Sequence, residues 1–135
     1  MVIEKSSEQR LVSSDDVVVA RQNVRARAVE IGLNLIDQTK VVTAASELAR
    51  NTVVYGGGGV MKIENIADSE RRGLRLVFED SGPGIADVAQ AMQDGFTTGN
   101  GLGLGLGGAK RLASEFQIES RPGEGTRVTI VRWKG

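Results

Sequence analysis

The sequence predicts an α+β fold: a two-layer α/β sandwich whose mixed sheet is covered on one face by helices. Three observations carry this. Strand-like and helix-like segments interleave along 135 residues, a length that suits one domain with one core. At least two strand pairs are joined by short turn-forming runs, which favours hairpins over a doubly wound parallel sheet. Aromatic residues make up only 4% of the chain, so the layers must pack through Val, Leu, Ile and Ala. With 18 Gly and only 2 Pro, the loops read as ordered rather than disordered.

The first nine residues, Met1 to Gln9, are polar and read as a flexible N-terminus without the apolar core of a signal peptide. Ser13-Ser14-Asp15-Asp16 has capping-box spacing before Val17. A helix is expected from about 15 to Gly32, a natural residue just past a helix end. A second helix fits about 36 to 54 and stops at the run Gly56 to Gly59. A strand fits Val60 to Ile66, and the polar run Ala67 to Gly73 reads as a hairpin turn. The next strand, Leu74 to Asp80, alternates Leu74, Leu76 and Phe78 with Arg75 and Glu79. Ser81-Gly82-Pro83-Gly84 must turn, and a short helix fits Asp87 to Gln93. A glycine-rich loop then runs into a helix from about 104 to 115. Two strands, about 116–121 and 126–133, close the chain around Pro122-Gly123-Glu124-Gly125. One domain over residues 1–135 is expected.

Composition removes several chemistries. Lys and Arg total 17 and Asp and Glu total 17, so no net field favours nucleic acid or an anionic membrane. With no Cys there is no disulfide frame, thiol nucleophile or thiolate metal site. With no His there is no Ser-His-Asp triad and no phosphohistidine. No apolar run reaches membrane-spanning length, and a cytoplasmic location is expected.

The richest segment runs from Gly95 to Leu112. Gly101, Leu102, Gly103, Leu104 and Gly105 open a helix, and such a loop turns backbone N–H groups and the positive helix end toward an anion. Gly103-x-Gly105-x-x-Gly108 fits the dinucleotide fingerprint only in part. No strand precedes it, and Glu124, at the right distance for the acidic partner, sits in a turn. A P-loop fails too, because Lys110 is followed by Arg111 rather than Ser or Thr. The alternation of glycines with Leu102, Leu104 and Leu106 argues against a plain flexible linker.

Three further clusters accompany it. Glu47 and Asn51 are four apart and share a helix face beside the apolar positions Val41, Ala44, Leu48 and Tyr55. A carboxylate there can take a proton and an amide oxygen can ligate Mg²⁺; the same pair also suits a solvated helix edge. Asp80 continues the apolar face of its strand, where a carboxylate needs a partner. An adenine amine would serve, with Gly82 and Gly84 leaving room for a flat base; a turn Asp capping its own backbone is the plainer reading. Thr126, after Gly123-Glu124-Gly125, either meets a base edge or simply ends a hairpin.

Taken in order, these clusters resemble the boxes of the gyrase/Hsp90/histidine-kinase/MutL ATPase superfamily. Glu47–Asn51 looks like its N box, Asp80–Gly84 its G1 box, Gly101–Leu106 its G2 box and Gly123–Thr126 its G3-like turn. The resemblance spans about residues 10 to 134 and implies a Bergerat-type ATP-binding fold. Histidine kinases need a phosphoacceptor His, and gyrase, MutL and Hsp90 types a following domain. A free-standing domain is expected here, as in the switch-protein serine kinases and anti-sigma factors. Glu-Leu-Ala-Arg-Asn, Glu-Asp-x-Gly-Pro-Gly-Ile, Asp-Gly-Phe-Thr-Thr and the Lys-Arg-Leu helix look closest to the RsbT-type serine/threonine kinases of the stressosome. That resemblance implies ATP and Mg²⁺ as cofactors, Glu47 as general base and Asn51 as the Mg²⁺ ligand. It implies adenine recognition by Asp80 with Gly82, Gly84 and Thr126, and a phosphate cradle at Gly101, Leu102, Gly103, Leu104 and Gly105. It implies STAS-domain proteins as phosphoacceptors and the N-terminal region of a PP2C-type phosphatase as a second partner. A sigma factor would be the partner in the anti-sigma alternative. The short lid, Gly95 to Gly101, holds no Lys or Arg, and no cation is assigned to the γ-phosphate.

Overall fold

The structure, a computed structural model, describes residues 1–92 and 105–135. Its elements are β1 (Val2–Leu11), α1 (Ser14–Glu30), α2 (Leu35–Val54), β2 (Gly59–Ala67), β3 (Arg72–Asp80), α3 (Val88–Ala91), α4 (Gly105–Leu112), β4 (Glu115–Arg121) and β5 (Gly125–Trp133). The strands form one sheet in the order β1-β2-β3-β5-β4. All four ladders are antiparallel, which corrects the expected mixed sheet. The cause is connectivity. β2–β3 and β4–β5 are hairpins, and the α1–α2 pair returns the chain so that β2 runs back along β1.

The N-terminus is the second correction. Residues expected to be a flexible tail form the edge strand β1, paired with β2 from Val2↔Ala67 to Leu11↔Gly59. Most of its side chains are exposed and polar, and only Leu11 is fully buried. Backbone pairing needs no apolar face, so an edge strand of this kind writes no hydrophobic period into the sequence.

The helices cover one sheet face. Met61, Ile63, Leu74, Leu76, Phe78, Val128 and Ile130 point into the core, where they meet Val24, Ala28, Val41, Ala44, Ala45, Leu48, Leu106 and Ala109. The opposite face carries cross-strand ion pairs, Arg75 with Glu64 at 2.6 Å and Lys62 with Glu79 at 3.4 Å. Small residues at 44, 45, 49, 107, 108 and 109 let α4 approach α2 closely.

Helix ends follow the sequence. The Asp16 carboxylate accepts the Val12 and Ser13 N–H groups at 2.8 and 3.1 Å, holding the start of α1. Those donors keep the Asp16 carboxyl below the ordinary aspartate range, the Val12 N–H contributing most. Asn34 caps α2 by accepting the Asp37 N–H at 2.8 Å. Asp37 in turn holds Arg132 of β5 at 2.6 Å, while Arg132 donates weakly to the Leu112 carbonyl at the end of α4. The N-terminus of α2 and the C-terminus of α4 are thereby tied to the last strand.

Candidate nucleotide site

One end of the sandwich opens into a cavity of about 510 Å³ between α2, the end of β3, the 83–87 segment, α3, the start of α4 and β5. Helix α2 delivers Glu47 and Asn51 because the adjoining stripe, Val41, Ala44 and Leu48, is committed to the core. The pair therefore emerges at the core's edge, as the four-residue spacing requires.

Asp80 reaches the cavity from the last position of β3, level with Gly59 on one side and Thr126 on the other. Its Oδ1 accepts the Gly82 N–H at 2.9 Å. The backbone-capping reading and the cavity-facing reading are thus both realised, because a carboxylate has acceptor capacity to spare. Gly56, just past α2, lies directly under this carboxylate, and a Cβ there would collide with the Asp80 side chain. Sequence reasoning took Gly56 only as a helix stop; the run of four glycines was the available signal. Gly82 does not line the cavity. It packs behind it, where a Cβ would lie 2.6 Å from the Gly56 carbonyl oxygen.

Gly84 lines the wall with φ at +74°, and a Cβ there would strike the Arg121 carbonyl. Only glycine meets both demands. Ser120, which sequence reasoning missed, ties this turn to the β4–β5 hairpin. Its Oγ accepts the Ile85 N–H at 2.8 Å and lies 2.8 Å from Thr126 Oγ1, with the Gly125 carbonyl at 3.0 Å. Thr126 itself lines the cavity, and Gly105 opens α4 at its rim. Gly101, Leu102, Gly103 and Leu104 lie outside the described residues.

The remaining wall is mainly apolar, with Leu48, Phe78, Ile85, Leu106 and Val128, and Tyr55 at its edge. A largely apolar slot with a few convergent polar groups suits a flat heterocycle at its floor. Glu47, Asp80 and Asp87 contribute carboxylates and Arg50 a guanidinium. Among the described residues no cluster of three or more His, Cys, Asp or Glu stands ready to hold a metal ion by itself.

Residues 36–134, which carry every element from α2 to β5, match the family of histidine kinase-, DNA gyrase B- and HSP90-like ATPases. The chain belongs to this family. Within it, the chain is 47% identical over 124 residues to the serine/threonine-protein kinase RsbT of Bacillus subtilis, covering 92% of this chain and 93% of that protein. It is 34% identical over 117 residues to an anti-sigma F factor of Clostridium kluyveri, covering 82% and 81%. Among solved structures, the RsbU and RsbW domains of a Mycobacterium tuberculosis protein superimpose with a TM-score of 0.65 at 22% identity. There the chain is covered to 95% and spans 32% of the longer protein. The mycobacterial sensor histidine kinase MprB follows at a TM-score of 0.57 and 18% identity, covering 94% of this chain and 97% of that one. These two likenesses concern the fold alone. Among the described residues no helix of this ATPase-family chain is long and apolar enough to cross a membrane.

Proposed function

We infer that this chain is an ATP-dependent protein serine/threonine kinase of the RsbT type, a single ATP-binding domain acting in the cytoplasm. Its acceptors are Ser or Thr hydroxyls of STAS-domain proteins in a partner-switching pathway. When released from them it binds the N-terminal region of a PP2C-type phosphatase and activates it. The observation that carries this reading is the convergence of Glu47, Asn51, Asp80, Gly84, Gly105 and Thr126 on one cavity. The 47% identity to a serine/threonine-protein kinase narrows the chemistry.

In this mechanism adenine lies in the apolar slot with its amine on Asp80, and the triphosphate runs toward α2 and the start of α4. Glu47 accepts the proton of the incoming hydroxyl. Mg²⁺ uses one or two protein oxygens together with substrate phosphates and water. The neutral oxygen of Asn51 beside a single carboxylate fits an ion that arrives with the nucleotide. When bound, that ion neutralises phosphate charge, and Asn51 would hold it. Such transfer asks mainly for positioning and charge neutralisation, which a small domain can supply.

The test is Glu47→Ala followed by nucleotide titration, capture of a STAS-domain protein and transfer of radiolabelled phosphate. ATP and the partner should still bind, because a general base acts in the transition state. Transfer should slow by about 10²–10⁴-fold. Transfer near the wild-type rate would remove Glu47 as the base. The 34% identity to an anti-sigma F factor supports a second reading, in which a sigma factor is the partner. Retention of a sigma factor by the ATP-bound protein would favour it. ATP binding without transfer to any STAS-domain protein would instead favour a nucleotide-gated regulator.

A further inference from the structure

We propose that Arg50 is a catalytic residue that grips the γ-phosphate of ATP during transfer. This rests on the kinase reading above and concerns the same cavity. A triphosphate brings several negative charges to a wall that already presents Glu47, Asp80 and Asp87. Among the described residues lining that wall, Arg50 is the sole Lys or Arg. Residues 93–104, between α3 and α4, contain neither Lys nor Arg. Lys110 and Arg111 stand in the last turn of α4 and do not line the cavity. At 1.5 Å per residue they are roughly 8–9 Å along the helix from Gly105.

Position supports the assignment. At 100° per residue, Glu47 lies between Arg50, about 60° to one side, and Asn51, about 40° to the other. The proposed base is bracketed by a guanidinium and by the proposed metal ligand. Arg50 is half-buried, and among the described residues it has no hydrogen-bond or ion-pair partner. That sets it apart from the other arginines that are not fully exposed. Arg27 donates to Asn65 and Ser7, Arg75 to Glu64, and Arg132 to Asp37. A partly desolvated guanidinium without a partner is unfavourable. One held at a cavity wall is poised for an anion, and its planar fork matches phosphate oxygens.

In the transfer the acceptor hydroxyl oxygen bonds to the γ-phosphorus. The bond from that phosphorus to the β,γ-bridging oxygen breaks, its electron pair leaving on ADP, and the hydroxyl proton passes to Glu47. Arg50 takes up charge on the γ-oxygens and adds no atom or electron to the balance.

The experiment compares wild type, Arg50→Ala and Arg50→Lys in two ways. One is titration with ADP and with a non-hydrolysable ATP analogue. The other is phosphate transfer to a STAS-domain acceptor. Because Arg50 holds no other residue, both variants should melt like wild type. Arg50→Ala should bind ADP normally and the triphosphate analogue roughly tenfold more weakly. Its turnover should fall about 10²–10³-fold, as for loss of a preorganised charge-stabilising donor, with the KM for acceptor unchanged. Arg50→Lys should recover part of the loss by keeping the charge without the fork. Equal weakening of ADP and analogue, no weakening of either, or unchanged turnover each overturns the assignment. A loss lying wholly in the acceptor KM also overturns it and gives Arg50 to the partner surface. If the wild type transfers no phosphate, the kinase reading fails, while selective loss of the triphosphate over ADP still decides for Arg50.

Discussion

Asp80 has acceptor capacity for more than one donor in its carboxylate. Its Oδ1 is taken by the Gly82 N–H, which leaves Oδ2 for a ligand, and Gly56 fixes where the group can lie. Asp80→Asn keeps the size and can keep the Gly82 bond through its amide oxygen. It then turns an NH₂ toward the proposed adenine amine, so two donors face each other. ATP affinity should fall by about 1–3 kcal/mol, the range for a lost charge-assisted or buried hydrogen bond. Isothermal titration of the folded variant checks this; unchanged affinity takes Asp80 out of the base pocket. Asn51 makes a separate case, since its expected contribution is to the ion and not to the base. Asn51→Ala should abolish transfer and flatten the dependence of nucleotide affinity on Mg²⁺ concentration, leaving affinity without Mg²⁺ near wild type. Normal transfer would refute the metal assignment.

Among the elements, α1 shows how a start signal works through charge. The Asp16 carboxylate is stabilised in its ionised form by the Val12 and Ser13 N–H groups, so its folded pKa lies below its unfolded one. The stability it contributes is therefore fully present above the unfolded value, about 3.9, and is lost as pH falls through the lower folded value. Asp16→Asn should be less stable than wild type at neutral pH, and the gap between the two should close as the solution is acidified below about pH 4. Urea midpoints measured across pH 2.5 to 7, roughly the window in which aspartate titrates, read this directly. A gap that stays constant would mean that charge plays no part in the cap. The other helix start, at α2, uses a neutral Asn34 acceptor, and its first-turn carboxylate Asp37 is spent on Arg132 instead. Through that pair the end of α4 is anchored to the start of α2, and both helices contribute to the cavity lining.

For the whole molecule, what could be read from the chain and what could not divide along a physical line. Elements that bury one face, such as α2 and β3, announce themselves by period, and their bounds fall within a residue or two of expectation. The cavity residues Glu47, Asn51, Asp80, Gly84, Gly105 and Thr126 were legible because each carries a special residue type at a fixed offset from an element's end. Gly56 and Ser120 were not, since their roles depend on what the fold places opposite them, which no local spacing records. The edge strand β1 was misread for the same reason. Its partner, β2, pairs with it at separations of 48 to 65 residues, from Leu11↔Gly59 to Val2↔Ala67, and the bonds are made by backbone. The consequence can be tested by deleting residues 1–9. A flexible tail would be lost without effect. Loss of an edge strand would leave one side of the β2 backbone unpaired and remove Ser7, which accepts the Arg27 guanidinium at 2.7 Å, and Gln9, which donates to the Asp16 carbonyl. Arg27 is 8% exposed in the intact fold and stays held by Asn65, so the truncation strips an acceptor from a tethered guanidinium. The loss of one hydrogen bond to a buried charged group alone costs about 1.5–3 kcal/mol. The truncated protein should therefore unfold at clearly lower urea, by at least that amount, with Arg27→Met in the same truncation recovering part of the difference. An unchanged urea midpoint on truncation would mean that β1 adds nothing to the stability of the sheet it borders.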